Sequence, residues 1–312
     1  DMGDNYVYVL FDGAHEGSYE FNPGVILGNV QYLTDTLAEL GESTAQKCNY
    51  TARFAQWKDL SEHLVNPNVS AYTHSSGLRI FGLSEDRGIR TISATVELEW
   101  IHPGYQLGFN SDPQDLETAR NTVTVMGDKV SPGYGSVNNT PKIFTQAARV
   151  GYDAKTLIAR LKTYCVNKMA ANNWINDSTH GWEKAGVLEA LNTMMCMSDS
   201  GIIKTFPTWT GADAEFHTIR MPGAFLISAE LSGSKTQYIE VTSEKGGELN
   251  LVIPWDTSRY ECQLVDTATG ETVRYTTAVT ENSKDPYLTV STEAGHTYRL
   301  TSGQPVIGTP KV

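Results

Sequence analysis

Gly223-Ala-Phe-Leu-Ile-Ser-Ala-Glu-Leu231 decides the fold, because Phe225, Ile227, Ala229 and Leu231 recur at every second residue. A period of two puts alternate side chains on one face of a pleated strand. Upstream the period is different. Ile26, Val30, Leu33, Leu37 and Leu40 step by four and three, which paints one stripe along a helix that Gly41 ends. The change of style falls near residue 200, so helices are expected before it and strands after it.

Working outward from that junction, a second helix carries Tyr50, Phe54, Trp57, Leu60 and Leu64 on one side and stops before Pro67. Residues 66–112 are irregular, with β-like runs such as Ile92 to Leu98, and are long enough to be a functional insertion. Asp112-Pro113 starts another helix, with a capping carboxylate followed by a proline that lacks the N–H a first turn cannot use. Periodic segments follow at Pro141 to Val150, Ala154 to Met169 and Glu183 to Met197. Six helices are therefore expected in an all-α domain over residues 1–200. Beyond it, short alternating runs at Tyr238 to Thr242, Leu249 to Ile253, Tyr260 to Val265, Val273 to Thr276, Tyr287 to Val290 and Tyr298 to Thr301 are separated by glycine turns. Such spacing predicts an antiparallel β-sandwich over residues 201–312.

Charge and composition narrow the partners. With 36 acidic against 24 basic residues and a net charge of −12 in 312 residues, the chain lacks the clustered cations that hold a phosphate backbone, and nucleic acid is not an expected partner. No run approaches the ~20 apolar residues that cross a bilayer. Cys48, Cys165, Cys196 and Cys262 stand singly, without zinc-ligand spacing, so neither a metal nor another cofactor is expected. Most of these thiols are expected to be buried. Tyr6 to Phe11 reads as a strand or buried run already in progress, as though continuing a longer polypeptide.

The run from Asn192 through Gly201-Ile202-Ile203 to Pro207, then Trp209 and Gly223 to Ala229, resembles the junction between toroid and C-terminal sandwich in glycoside hydrolase family 95 and its relatives. His102-Pro103-Gly104-Tyr105-Gln106-Leu107-Gly108, Asn110-Ser111-Asp112-Pro113 and Ala147-Ala148-Arg149-Val150-Gly151-Tyr152-Asp153 are similar to further landmarks of that family. The resemblance implies a partial (α/α)6 toroid followed by the sandwich, an inverting hydrolase of α-L-fucosides or α-L-galactosides, and a secreted or periplasmic location. A complete toroid of that kind has twelve helices, so the other partner implied, besides an oligosaccharide or glycoconjugate substrate, is a missing N-terminal half of the same enzyme.

Inversion needs one carboxylic acid to protonate the leaving oxygen and a second group, about 6.5–9.5 Å away, to activate water. In the resemblance Glu16, within Asp12-Gly-Ala-His-Glu16, falls where the acid belongs, and Glu183 lies nearest the water-activating position. His15, His102, Trp174, Asp177, His180 and Trp182 are the expected sugar contacts, as rings that stack on a pyranose and polar groups that bind hydroxyls, and Asp177, in a polar loop with Trp174, is the fallback to Glu183. Asp12, Glu16 and Glu20 read equally as a solvated acidic loop. Glu97 or Glu99, alternating on one side of an expected strand, is a competing acid. Trp100 and Trp209 line a pocket or pack a core, and Arg149 and Arg220 are candidates to bridge the domains through carboxylates.

Two other functions fit less of this pattern. A catalytically silent carbohydrate-binding or structural piece would show an exposed row of aromatics among Tyr238, Tyr260, Tyr275, Tyr287 and Tyr298. A phosphorylase would need converging cations beside the candidate acids, and the sequence places none there.

Overall fold

A computed structural model of the protein describes residues 6–11, 20–90, 95–128, 142–172 and 186–303. The fold is mixed α+β: seven α-helices and two five-stranded sheets among the described residues. Two compact units divide the chain, one of Asp1–Gly108, Pro113–Tyr152 and Leu157–Ala190, the other of Phe109–Asp112, Asp153–Thr156 and Leu191–Val312.

The first unit opens with α1 (Gly24–Glu39), α2 (Gly41–Lys47) and α3 (Thr51–His63). The residues α1 buries are Gly24, Val25, Leu27, Gly28 and Thr34. That is a correction to the stripe read from the sequence, since Leu33 and Leu40 of that stripe are 58% and 48% exposed. Backbone approach explains the shift. A Cβ on Gly28 would lie 2.4 Å from Cβ of Trp100, so the face of α1 that carries Gly28 packs on that residue, and Leu33 and Leu40 turn away. α2 is an additional helix, beginning at Gly41 with φ +75° where the sequence suggested only a stop. α3 buries none of its own residues; Phe54, Trp57 and Leu60 are half-covered. Residues 6–11 are not the buried run expected: Val7 and Phe11 are 63% and 74% exposed, and Tyr8 merely bridges to Leu64 beside α3.

The irregular region contains a hairpin of β1 (Ala71–Thr73) and β2 (Arg79–Phe81), so this half of the chain is not all-α. The β-like run at 92–98 is corrected too. Within its described part, Val96–Leu98 forms a 3-10 turn, and Glu99 is helical. Alternation of Val96, Leu98 and Trp100 mimics a strand, yet the Thr95, Val96 and Leu98 carbonyls are taken up by turn bonds from the Leu98, Glu99 and Ile101 amides. α4 (Pro113–Asp128), α5 (Lys142–Arg149) and α6 (Ala154–Lys168) follow as expected from their periodicity, and Ile143 to Arg149 of α5 are all buried. α7 (Gly186–Met195) ends earlier than its periodicity suggested, because Cys196–Asp199 becomes strand β3.

In the second unit β3, β4 (Ile202–Thr205), β8 (Gly247–Val252), β10 (Thr276–Val279) and β11 (Pro286–Thr292) form one sheet in the order β10-β11-β8-β4-β3. The other sheet contains β5 (Ala214–Met221), β6 (Phe225–Ser232), β7 (Lys235–Ser243), β9 (Gln263–Asp266) and β12 (Thr297–Thr301), in the order β5-β6-β7-β12-β9. All pairings are antiparallel except β4 with β8. Phe225, Ile227, Ala229 and Leu231 are buried as their period requires. They share one apolar cluster with Ile203, Leu249, Leu251, Leu288 and Val290 of the other sheet, apart from Leu231. Two of the four free cysteines, Cys196 and Cys262, are buried there or beside it, whereas Cys48 is exposed and Cys165 half-covered.

Candidate functional site

The polar site of the helical unit is built on the turn that follows Val96–Leu98. Amide bonds from His102 to Leu98, Gly104 to Glu99 and Tyr105 to Ile101 wind the chain tightly around Trp100. Gly104 is required there, since a Cβ would lie 2.6 Å from the Trp100 carbonyl oxygen. The turn leaves Tyr105 with φ +53° and brings its ring edge-on to His102, at 5.6 Å between centroids.

His102 Nε2 stands 3.4 Å from Oε2 of Glu189, which projects from the first turns of α7. The histidine side chain is almost covered, at 9% exposure, whereas that of Glu189 is 45% exposed. His102, then Arg149, hold the Glu189 carboxyl below its usual range against the effect of its partial burial. Arg149 sits 4.7 Å from the Tyr105 ring centroid and donates from Nε to the Leu107 carbonyl at 3.1 Å. Tyr32 of α1 completes the rim, 5.4 Å from Tyr105, and both tyrosines are near 45% exposed, at 45% and 43%. Behind them, Gln146 donates to the His102 carbonyl at 3.1 Å. His102 Nδ1, Gln146 Oε1 and Thr145 Oγ1 are buried and find no hydrogen-bond partner among the described residues. An unmet buried polar atom costs about 1–3 kcal/mol, so each of the three carries a cost that the described residues do not offset. The arrangement therefore combines an ionised carboxylate, an imidazole and two half-exposed rings.

Of the residues singled out from the sequence, His102 takes its place in this cluster. Glu16, His15, Trp174, Asp177, His180, Trp182 and Glu183 lie outside the described residues. Glu20 is 2% exposed, which corrects its reading as part of a solvated acidic loop. Trp100 is 1% exposed and belongs to the core, not a pocket. Arg220 makes a two-pronged pair with Glu244 of its own unit, at 2.6 and 3.0 Å, and so is not the bridge it was expected to be. Glu189, Tyr105 and Tyr32 were missed as site residues. Their only sequence signal was the His-Pro-Gly-Tyr landmark, and nothing in the spacing linked it to α7.

Glu97 and Glu99 do not share a strand face. Glu99 pairs with Lys142 at 2.6 Å. Glu97 is 1% exposed; its Oε1 accepts the Arg90 amide at 2.6 Å, and Oε2 has no hydrogen-bond partner among the described residues. Burial pushes the Glu97 carboxyl up from 4.5 to about 7, outweighing the Arg90 amide bond that pulls it down. A raised folded value makes the protonated form the folded one. This carboxyl's contribution is therefore fully present below pH 4.5 and is lost as the pH climbs to about 7, about 3 kcal/mol in all. In urea titrations from pH 4.5 to 8, the stability difference between wild type and Glu97→Gln should change by about that total amount; a constant difference would show that Glu97 does not titrate in this window.

No protein-family model matches the chain, and no curated protein matches it either. Among solved structures the chain is similar to a GH127 β-L-arabinofuranosidase from Geobacillus stearothermophilus T6, with a TM-score of 0.24 and 11% identity. That alignment covers 88% of this chain and 42% of the other, so this chain spans less than half the length of that relative. A likeness at this level carries no functional argument, and the site is read from its own residues.

Proposed function

We propose that the protein is a glycoside hydrolase acting on α-linked, fucoside- or galactoside-like sugars by an inverting acid/base mechanism. The observation that supports this reading is the His102–Glu189 pair beside the half-exposed rings of Tyr105 and Tyr32. A pyranose presents an apolar face to such rings and hydroxyls to such polar groups. In this reading the helices form part of a toroid, completed by polypeptide outside these 312 residues, and the two sheets form a sandwich. The toroid corresponds to residues 1–200 and the sandwich to residues 201–312. Glu16 is the acid that protonates the leaving oxygen, and Glu183 activates water. His15, Trp174, Asp177, His180 and Trp182 join His102 in holding the sugar. A secreted or periplasmic setting follows from the substrate class.

Proton NMR of the complete enzyme with nitrophenyl α-L-fucoside and α-L-galactoside tests the reading, with the β-anomer expected as first product. Initial release of the α-anomer would overturn inversion, and no turnover of either glycoside would overturn the assignment. Glu189→Gln removes a charge but not the contact geometry. It is expected to lower kcat/KM about 10- to 100-fold, the worth of a charged hydrogen bond, with most of the change in KM. An unchanged KM would remove Glu189 from the sugar site.

A further inference from the structure

The sheet unit carries a second concave surface. A cleft of about 530 Å³ opens where β4, the end of β8 and the start of β11 meet. Its walls include Phe206 and Trp255, the ion pair of Lys204 with Asp285, and the turn residues Asp256 and Thr257. This volume lies within the roughly 300–1,000 Å³ typical of small-molecule sites.

Each wall group is fixed in advance. The Trp255 indole donates to the Thr236 carbonyl at 2.9 Å and packs against the apolar core, so its orientation is set before anything binds. Phe206 has φ +52°, a conformation that bulky side chains rarely adopt, and its amide donates to the Met195 carbonyl at 2.6 Å. Lys204 Nζ lies 2.6 Å from Asp285 Oδ2 and 5.1 Å from the Phe109 ring centroid, while Ser283 donates to the same carboxylate oxygen at 2.7 Å. Asp256 is held by Arg259 at 3.0 Å.

The chemistry of these walls selects the ligand. Asp285 has Lys204 and Asp256 has Arg259, so the charges cancel and the cleft offers no net charge to an anion. It offers two aromatic rings for stacking, together with ammonium, carboxylate and hydroxyl groups that both donate and accept. A ligand matching that set has an apolar face and a rim of hydroxyls, and is neutral. Of the five tyrosines of this unit, Tyr298 is buried and Tyr238, Tyr260, Tyr275 and Tyr287 are half-covered, as Phe206 and Trp255 are.

We propose that the cleft at Trp255 is a carbohydrate-binding subsite that accepts one neutral pyranose ring, separate from the His102–Glu189 site. This stands apart from the hydrolytic reading, because binding here needs no turnover. The test is saturation-transfer NMR and tryptophan fluorescence on the full chain with methyl α-L-fucopyranoside, methyl β-D-galactopyranoside and methyl α-D-glucopyranoside. At least one is expected to saturate in the millimolar range. Trp255→Ala should weaken it about ten-fold or more, Asp256→Asn at least about three-fold, and Trp255→Phe little. Asp256 lies on an exposed turn, so D256N decides the matter if W255A fails to fold. Lack of saturation by all three glycosides, or affinity unchanged in D256N and in folded W255A, would overturn the proposal. Turnover of the nitrophenyl glycosides by the wild-type protein is read in a separate assay, which separates failure of this subsite from failure of the hydrolase assignment.

Discussion

Trp100→Ala is expected to destabilise the helical unit by about 3–5 kcal/mol, the range for removing a buried large aromatic. The indole is 1% exposed, meets Phe81 edge-on at 4.8 Å between centroids, and donates from Nε1 to the Glu97 carbonyl at 3.0 Å. Two glycines, Gly28 and Gly104, surrender their side chains so that α1 and the His102 turn can close on it. Truncation leaves a void that these backbones cannot fill by a side-chain rearrangement, because neither glycine has one to move. Since domains are stable by only about 5–15 kcal/mol, this one change removes a large share. Hydrogen exchange resolved by segment is the measurement. Protection in α1 and α4 should fall while β6 and β7 keep theirs; a loss below about 1 kcal/mol would mean that the indole is not the keystone of this unit.

Glu16→Gln and Glu183→Gln are each expected to lower kcat by about 10²–10⁴, the usual worth of a positioned general acid or base. The two should differ in a diagnostic way. Loss of the acid is partly bypassed by a leaving group that needs no proton, so E16Q should retain more activity on a nitrophenyl glycoside than on an alkyl glycoside. Loss of the base gives no such relief, but azide can replace water as nucleophile in E183Q and yield the inverted glycosyl azide. A fall of less than ten-fold in either variant would move that role elsewhere. Glu97 is a poor heir to the acid role despite its raised proton affinity, since a side chain of 1% exposure cannot reach a glycosidic oxygen.

The contrast between the two units explains what could be foreseen. In β6 the strand period and the burial coincide at Phe225, Ile227, Ala229 and Leu231, because a strand has just two faces and one must be dry. β5 was missed, since its Ala214–Met221 run places His217, Glu215 and Arg220 among the apolar residues and carries a register shift between Phe216 and Ile219. In α1 the apolar stripe misled, because a helix can be buried on its smallest residues when a large partner comes close. Of the candidate site, the sequence pointed to His102 through its turn, but not to Glu189, which lies 87 positions further along.

By itself, then, the sequence determined that helices dominate before residue 200 and strands after it, the alternation within the strands, and the acidic balance of the chain. These are properties of neighbouring residues or of the whole composition, and both are written locally. Only the tertiary structure decided that Trp100 is a core residue clasped by glycines and that Glu97 is sealed from water. It alone brought the Glu189 carboxylate to His102. Burial and pairing depend on which distant segments pack together, and no period along the chain encodes that choice.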